Sequence, residues 1–348
     1  MIPVKGYAAQ SAASPLTPYD FERRELREHD VLIDILYSGV CHSDLHQARD
    51  EWGGSIYPMV PGHEIVGKVV RTGSHVKKFR EGDTAGVGVM IDSCRHCKPC
   101  NDLMEQYCAE GMTGTYNGYE RDKSGIAQGG YSTQIVTDER YVYLVSDKLY
   151  LPGVAPLLCA GITTYSPLKY AGVKPGDKVA VAGLGGLGHM AVKFAVAMGA
   201  EVTMLSTSPS KEADARKLGA HHFILSTDKD LMKKYGSHFD VIVDAIAGNH
   251  SYDPLLRLLT VQGKLMVLGL PAEHPKLNPF DLITNRRSLI GSMIGGTAET
   301  QEMLDFCAEK NIVADVEVIP MDYINEAYER MLKNDVKYRF VIDLASLK

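Results

Sequence analysis

The stretch that decides the fold is KVAVAGLGGLG, residues 178–188. Its first half, Lys178–Ala182, is a short apolar run typical of a buried strand, and residues with helical periodicity follow the last glycine. The second half has the spacing G-x-G-x-x-G, which predicts a dinucleotide-binding turn when it lies between a strand and a helix. The alternative is a plain Gly-rich turn. The predicted cofactor contacts are Gly183, Leu184, Gly185, Gly186, Leu187 and Gly188.

Strand and helix patterns alternate around this turn from about residue 154 to residue 294. Helical patterns at 187–198 and 210–218 separate runs that are typical of buried strands. Six strands in this rhythm predict an α/β unit with a doubly wound parallel sheet. The predicted strands are Lys178–Ala182, Glu201–Leu205, His222–Leu225, Phe239–Asp244, Lys264–Gly269 and Leu289–Met293.

The end of the second strand indicates which dinucleotide binds. An NAD site usually carries Asp or Glu there, to bind the ribose 2′-hydroxyl. Here the side chains are three hydroxyls followed by an ammonium group: Ser206, Thr207, Ser208 and Lys211. Because these groups bind a 2′-phosphate and an acid would repel it, we predict NADP(H). The alternative is that Lys211 simply begins a solvated helix.

The two flanking regions have a different character. Residues 1–153 contain glycines and short β-branched runs, such as Val31–Leu36 and Glu64–Val70, and predict a mainly β domain. Residues 295–348 contain amphipathic helical patterns near Glu299–Lys310 and Tyr323–Leu332 and a last strand, Tyr338–Ile342. We expect this tail to return to the first domain, and we predict helix core for Cys307.

Composition excludes several classes of protein. The 348 residues are 45% hydrophobic and 23% charged, with a formal net charge of -6. The absence of a basic run argues against nucleic acid as a partner, and the absence of an apolar run of roughly 20 residues argues against a membrane partner. The first residues have no signal-peptide pattern, so we expect a cytoplasmic protein. Its seven cysteines then indicate metal ligands or buried thiols.

Four of these cysteines lie in one loop. The spacing C-x2-C-x2-C-x7-C can place four thiolates around one ion, as a tetrahedral zinc requires. Since no coordination position stays open, we predict a structural zinc; an iron–sulfur cluster or disulfides are the alternatives. The predicted ligands are Cys94, Cys97, Cys100 and Cys108.

Three further segments contain potential ligands that spacing alone cannot join. Cys41 begins CHSDLH at 41–46, His63 lies in PGHE at 61–64, and Cys159 lies in LLCAG at 157–161. Taken one at a time, a cysteine of this kind is an ordinary small buried residue, and a lone histidine is an ordinary core or surface residue. The residues by themselves therefore leave a second metal site open.

Taken in order, these segments resemble the zinc-containing medium-chain alcohol dehydrogenases. The likeness is greatest to the cinnamyl-alcohol-dehydrogenase-like branch of NADPH-dependent aldehyde reductases, and it runs along almost the whole chain. It rests on the four-cysteine loop, the glycine turn and the segments GVCHSDLH (39–46), PGHEIVG (61–67), LCAG (158–161) and GSMIGG (291–296). The resemblance implies a GroES-like catalytic domain at 1–153, a Rossmann domain at 154–294 and a return to the catalytic domain at 295–348.

The resemblance also implies residue roles. A catalytic zinc, the second zinc per chain, would be held by Cys41, His63 and Cys159, with its fourth position open to substrate. Near this zinc the family places an orienting carboxylate, an exchangeable glutamate, a substrate-binding hydroxyl, an outer relay histidine, a nicotinamide contact and two pocket residues. Asp44 is the expected carboxylate, Glu64 the glutamate, Ser43 the hydroxyl residue and His46 the relay histidine. Thr163 is the expected nicotinamide contact, and Trp52 and Val89 are the expected pocket residues.

The function implied is hydride transfer between NADP(H) and a primary alcohol/aldehyde pair, mainly as aldehyde reduction with broad or aromatic preference. A homodimer is expected, with the strand near 288–296 pairing across a two-fold axis. One alternative is an NAD-dependent alcohol or polyol dehydrogenase of the same family. A non-catalytic NADPH-binding redox sensor is an alternative of another class.

Overall fold

The computed structural model describes residues 1–271 and 273–347 and divides the chain into two compact units. The first unit contains Met1–Ile162 and the residues from Gly295 onward; the second is Thr163–Ile294. The first boundary thus lies after the position expected from the sequence, between residues 153 and 154. The reason is that a short helix at Leu151–Val154 and a 3-10 turn at Ala155–Leu158 pack against strands of the first unit.

The first unit begins as an antiparallel β structure with three short helices. Its strands alternate buried and exposed side chains only in part, because several are covered on both faces. In chain order its elements are β1 (Ile2–Ala9), β2 (Leu16–Arg23), β3 (Asp30–Val40), α1 (His42–Ala48), β4 (Ile65–Thr72), β5 (Thr84–Val87), β6 (Met90–Asp92), α2 (Lys98–Asn101), β7 (Thr113–Gly114), β8 (Gly118–Tyr119), β9 (Ile126–Ala127), β10 (Gln134–Asp138), β11 (Val142–Leu144) and α3 (Leu151–Val154).

The second unit is a six-stranded parallel sheet with helices between most of its strands. Helix α4 (Ala160–Ala171) leads into it, and its elements are β12 (Lys178–Ala182), α5 (Gly188–Ala197), β13 (Glu201–Ser206), α6 (Glu212–Lys217), β14 (His222–Leu225), α7 (Lys229–Lys234), β15 (Phe239–Asp244), α8 (Asp253–Leu258), β16 (Leu259–Val267), α9 (Pro279–Ile283) and β17 (Ser288–Gly291).

The strand order β14-β13-β12-β15-β16-β17, with every neighbouring pair parallel, is the doubly wound order of a Rossmann sheet. The predicted doubly wound parallel sheet is confirmed. Strand β16 begins earlier than the predicted Lys264, because Leu259 already pairs with Phe239 of β15.

The C-terminal segment adds two strands to the sheet of the first unit. It contains α10 (Thr297–Lys310), β18 (Val316–Pro320), α11 (Ile324–Leu332) and β19 (Arg339–Asp343). Strand β19 pairs antiparallel with β3 and parallel with β18, which gives the order β11-β5-β4-β3-β19-β18, and β10 also pairs with β3. A core cluster of the unit therefore joins side chains from both ends of the chain, such as Ile33 and Phe340.

Helix α10 buries Met303 and Cys307 completely, in agreement with the predicted helix core. In the part of the chain that the structure describes, none of the helices has both the length and the apolar character required to cross a bilayer.

Two glycines of the 183–188 turn should respond differently to a methyl group. A Cβ on Gly188 would lie 1.8 Å from the carbonyl oxygen of Gly183, whereas a Cβ on Gly185 would meet no atom within 4 Å. We expect Gly188→Ala to lower the free energy of unfolding by about 1–3 kcal/mol because the backbone must move. Gly185→Ala is the matched control and should stay within about 0.5 kcal/mol of the wild type. Urea titration of both variants measures the difference, and equal destabilisation would contradict the tight contact at Gly188.

Candidate active site and metal centres

Four potential ligand residues converge in the first unit: Cys41, His63, Glu64 and Cys159, with one donor atom from each lying within 4.8 Å of all the others. The two sulfurs are 4.0 Å apart. Two sulfurs bound to one tetrahedral zinc, each at about 2.3 Å, lie about 3.8 Å apart, so the spacing suits a shared ion. Two thiols and an imidazole form the donor set of an open zinc site. The fold thus brings the three predicted ligands together, and their role as ligands stays a prediction.

Strand pairing explains how such distant residues meet. Cys41 follows β3 directly, and Glu64 precedes β4; these strands pair antiparallel with Ser38 opposite Ile65, so both residues lie at one end of the hairpin. The 3-10 turn Ala155–Leu158 packs against β3 and β4 and ends at Cys159. The third ligand therefore reaches the same end of the sheet.

A single carboxylate, that of Asp44, organises the cluster. Its Oδ1 accepts hydrogen bonds from the backbone N–H of Gly62 (3.1 Å) and from Nδ1 of His63 (2.9 Å). Its Oδ2 accepts from the backbone N–H of Cys41 (2.9 Å) and from the hydroxyl of Tyr131 (3.2 Å). Because Nδ1 of His63 is held by Asp44, Nε2 is the nitrogen left for a metal. Asp44 thus occupies the position expected of the orienting carboxylate.

The charges in the cluster stabilise a thiolate. A hydrogen bond with Cys159 and, against the effect of burial, one with His63 hold the pKa of Cys41 well below its usual value. Burial alone would lower the pKa of His63, but Asp44 and Cys41 outweigh burial and hold it well above its usual value. The thiolate, rather than the thiol, is the form of cysteine that binds a metal.

Glu64 is held by an arginine from the last strand. Arg339 of β19 donates from Nη2 to Oε1 of Glu64 and to the carbonyl oxygen of Val40 (2.9 Å). The other carboxylate oxygen, Oε2, is buried and has no hydrogen-bond partner among residues 1–271 and 273–347. It lies so close to Gly39 that a Cβ there would be 1.9 Å away. Burial raises the pKa of Glu64 to about 7, while Arg339 opposes this rise.

The predicted relay residues lie along α1. The hydroxyl oxygen of Ser43 is 3.6 Å from the sulfur of Cys41. His46 is partly exposed, and its Nδ1 is hydrogen-bonded to the carboxylate of Glu51. The ring of Trp52 lies 5.2 Å from that of His46, and half of this side chain is exposed. Ser43 therefore lies beside the ligand cluster, and His46 is in contact with solvent.

Two further residues, Tyr116 and Glu51, lie at the site without having been predicted from the sequence. The ring of Tyr116 stacks on that of His63 at 5.9 Å, and its hydroxyl donates to the carbonyl oxygen of Ser43 at 3.2 Å. Neither residue carries a local signal of function. The predicted pocket residue Val89 is half-buried between β5 and β6, and its carbonyl oxygen accepts from the N–H of Thr115 at 3.0 Å. The pocket roles of Val89 and Trp52 stay predictions.

The four cysteines of the 94–108 loop also converge, with one sulfur from each within 4.8 Å of the others. The sulfurs of Cys94 and Cys100 are 3.9 Å apart. Three backbone N–H groups donate to these sulfurs: Cys94 to Cys108 at 3.3 Å, Cys97 to Cys94 at 3.4 Å and Ala109 to Cys97 at 3.4 Å. Such N–H donors stabilise thiolates, so the loop fits the predicted structural zinc.

The same loop caps helix α10. Both carboxylate oxygens of Glu105 are used, since Oε2 accepts from the N–H of Thr297 and Oε1 from its hydroxyl, each at 3.0 Å. The N-cap residue Gly296 has no side chain to do this, and a Cβ there would lie 1.9 Å from the carbonyl oxygen of Leu103. The four-cysteine loop therefore fastens the start of the returning segment.

In the second unit, the glycine turn follows β12 at the carboxyl edge of the sheet. Gly183 has φ +92°, Gly185 is open to solvent, and Gly188 begins α5. Lys211 donates from Nζ to the carbonyl oxygen of Leu184 at 2.9 Å. The turn thus has an accessible backbone, which suits a pyrophosphate, and a nearby cation, which suits the additional 2′-phosphate of NADP(H).

The hydroxyl residues lie at the end of β13 in the same unit. Ser206 is buried, Thr207 is exposed, and the N–H of Ser208 donates to the hydroxyl of Ser206 at 3.2 Å. Thr163, the predicted nicotinamide contact, is half-buried in α4. His189 was not predicted from the sequence. It is buried, and its backbone N–H donates to the carbonyl oxygen of Gly185 at 3.0 Å.

Comparison with known proteins identifies the family. Residues 27–147 match the model of the alcohol dehydrogenase GroES-like domain, and residues 186–309 match that of the zinc-binding dehydrogenases. Aldehyde reductase YahK of Escherichia coli is 53% identical over 99% of both chains. The structure of cinnamyl alcohol dehydrogenase SbCAD4 from Sorghum bicolor superposes with a TM-score of 0.95 and 45% identity, covering 99% of this chain and 98% of that one. That of CAD from Helicobacter pylori, complexed with NADP(H), gives a TM-score of 0.92 with 44% identity over 99% of both chains.

This chain therefore belongs to the family of zinc-type, medium-chain alcohol dehydrogenases. It is an oxidoreductase with the GroES-like and Rossmann folds of that family, and the resemblance found in the sequence is confirmed.

Replacing Asp44 with Ala should release one metal selectively. His63 would lose the group that orients it, and loss of such a partner typically lowers metal affinity by about 10–100-fold. We expect the zinc of the Cys41 cluster to be lost on dialysis against a weak chelator, and the zinc of the four-cysteine loop to stay bound. Elemental analysis before and after dialysis measures this. Asp20→Ala, on an exposed site of β2, is the control. Retention of the full zinc content by the Asp44 variant would refute the role of Asp44.

Proposed function

We propose that this protein is an NADPH-dependent aldehyde reductase that interconverts primary alcohols and aldehydes and acts mainly as a reductase. The observation that carries this proposal is the convergence of Cys41, His63 and Cys159, with Asp44 behind the imidazole. A closed four-cysteine site needs no such orienting carboxylate and offers no open position. The relatives, an aldehyde reductase and a cinnamyl alcohol dehydrogenase, support the same chemistry.

NADP(H) is the proposed cofactor. The segment 206–211 contains three hydroxyl residues and Lys211 but neither Asp nor Glu. The hydrogen bond from Lys211 to Leu184 brings a positive charge to the glycine turn, where a 2′-phosphate would replace the carbonyl oxygen as its partner. The complex of the Helicobacter pylori relative with NADP(H) supports this choice.

Different residues of the chain bind the metal and donate the proton. When bound, zinc supplies a Lewis acid for the carbonyl oxygen and the reduced nicotinamide supplies hydride. Cys41, His63 and Cys159 would hold the metal, and Arg339 keeps the carboxylate of Glu64 paired. Ser43, beside Cys41, donates its hydroxyl proton to the substrate oxygen.

The proton that Ser43 gives up is replaced from solvent through His46. The carboxylate of Glu51 accepts from Nδ1 of His46. Nε2 is therefore the ring nitrogen that passes a proton toward Ser43 at the start of α1. Partial exposure of both side chains gives the proton access to water. Trp52, in contact with His46, and Val89 are the proposed apolar lining of the substrate pocket, which favours aromatic and other apolar aldehydes.

We also propose a homodimer formed by the second unit. Among residues 1–271 and 273–347, β17 is the last strand of its sheet and has no strand partner on one edge. Large apolar side chains in the segment that leads into this strand are exposed, among them Leu270 (72%), Phe280 (68%) and Ile283 (71%). An edge strand beside an apolar patch supports pairing with a second copy across a two-fold axis. The seven cysteines without disulfides suit a reducing compartment, and we propose a cytoplasmic location.

Lys211→Ala tests the cofactor. The variant should raise KM for NADPH by roughly 10-fold or more, since a charge-assisted contact to phosphate is worth about 1.5–3 kcal/mol, and should leave KM for NADH nearly unchanged. Initial rates with aromatic and aliphatic aldehydes and both cofactors give these values. Lys217→Ala, on the exposed side of α6, is the matched control. Equal effects on both cofactors would exclude the 2′-phosphate contact, and an absence of aldehyde reduction by the wild type would exclude the function.

The dimer has its own test. Sedimentation equilibrium should give twice the chain mass for the wild type. The double substitution Phe280→Glu with Ile283→Glu should shift the protein toward the monomer, because charge would be buried at the interface. Tyr170→Glu, at another exposed apolar residue of the same unit, should leave the dimer intact. A monomeric wild type, or a dimer that survives the double substitution, would contradict the proposed surface.

A further inference from the structure

The loop that leads into His63 is bracketed by a second loop. Three consecutive backbone N–H groups donate to carbonyl oxygens of this loop: Gly129 to Val60 at 2.7 Å, Gly130 to Gly62 at 2.8 Å and Tyr131 to Pro61 at 2.9 Å. These bonds join two irregular segments and belong to no regular strand pair. The position of the 60–62 backbone therefore depends on that of residues 129–131.

Glycines make this bracket tight. A Cβ on Gly129 would lie 2.3 Å from the carbonyl oxygen of Pro61, and a Cβ on Gly130 would lie 2.4 Å from the side chain of Ile65. Gly62 has φ +104°, a conformation open to glycine. With no side chains between the two backbones, a displacement of one is transmitted directly to the other.

Arg23 holds the outer side of the bracket. From the end of β2, its guanidinium donates from Nε to the carbonyl oxygen of Gln134 at 2.6 Å and from Nη1 to that of Gln128 at 2.9 Å. Its Nη2 donates to the carbonyl oxygen of Gly129 and to the hydroxyl of Ser132, each at 3.0 Å. One planar side chain thus donates hydrogen bonds to four acceptors in one short segment.

The partners of Arg23 differ from those of the neighbouring arginines. Arg24 pairs with the carboxylates of Asp30 and Glu120, and Arg27 with that of Asp122. Arg23 instead directs its hydrogen bonds to neutral oxygens. Desolvation lowers the pKa of its guanidinium, so the side chain is kept charged in a costly environment. Such a placement organises the backbone around it more than it balances charge.

We propose that Arg23 is a positioning residue for the catalytic metal site, acting through residues 128–132 on His63. The inference rests on the proposed role of His63 as a ligand. One route runs through the backbone bracket to residues 60–62. The other runs through Tyr131, whose hydroxyl donates to Asp44, the residue that holds Nδ1 of His63. Loss of the guanidinium would therefore loosen both the backbone of residues 60–62 and the hydrogen bond from Tyr131 to Asp44.

The fork of the guanidinium is the property that matters. Arginine offers five N–H donors in a fixed plane, whereas lysine offers one ammonium on a flexible stem. Lys at position 23 would keep the charge but could not reach four acceptors spread over residues 128–134. A graded response to Met and Lys at this position is therefore expected, with Lys intermediate.

The test uses the full-length protein with cobalt exchanged into the Cys41 cluster and zinc kept in the four-cysteine loop. The visible absorption of cobalt reports ligand geometry, and a chelator measures its release well below the unfolding temperature. Arg23→Met should alter the cobalt spectrum and speed release by about 10-fold or more, the range for lost outer partners of a ligand. Arg23→Lys should lie between this variant and the wild type. Arg27→Met, an exposed arginine nearby, is the matched control.

Each remaining outcome argues against the inference. An unchanged spectrum and release rate in Arg23→Met would overturn it, and so would equal acceleration of zinc release from the four-cysteine loop, which would indicate general loosening. If Arg23→Met does not fold, an unchanged spectrum in Arg23→Lys overturns it. A wild type with no cobalt signal from the Cys41 cluster would remove the assignment of His63 as ligand and this inference with it. A normal wild-type signal with no effect of Arg23 would remove the inference alone.

Discussion

The buried carboxylate of Asp44 is the constraint on which the first unit depends. It accepts hydrogen bonds from the start of α1, from the 62–63 segment and from Tyr131, so three segments that are distant in sequence share one anion. A buried carboxylate is costly unless its hydrogen bonds are satisfied, and each of these segments must therefore stay in place. The carboxylate that caps α1 is also the one that orients the imidazole of His63, which couples folding of the unit to the geometry of the candidate site.

The two metal centres are built on opposite principles. In the four-cysteine loop the ligands are close in sequence, local N–H groups surround the sulfurs, and the ion would close the loop by itself. The Cys41 cluster draws on residues from three separate segments, and its neighbour Glu64 is held by Arg339 near the end of the chain. An ion in the first centre would stabilise the fold because all four of its ligands lie in one loop, whereas the ligands proposed for the second meet only once the chain has folded. Glu105 links the closed centre to the returning segment that also carries Arg339.

In the second unit, the backbone conformation of the glycine turn is the main feature of the proposed nucleotide site. The glycine turn lies at the carboxyl edge, beside the central strand β12, where a doubly wound sheet binds its nucleotide. Gly183 takes a positive φ and Gly188 allows the turn and the helix to touch, while Gly185 is left free for a ligand. The side chains proposed to select the nucleotide follow β13, and one of them, Lys211, is hydrogen-bonded to the turn.

The amino-acid sequence by itself determined the features that depend on neighbouring residues. These are the strand–turn–helix of 178–188, the rhythm of the parallel strands and the four-cysteine loop, since periodicity and short spacing have direct physical meanings. The three-ligand cluster could be named only by resemblance, because a spacing of many residues carries no geometry. The tertiary structure alone decided the contacts of Arg339 with Glu64, of Tyr131 with Asp44 and of Arg23 with residues 128–134. Each joins segments that only strand order and loop packing bring together, as when β19 inserts beside β3.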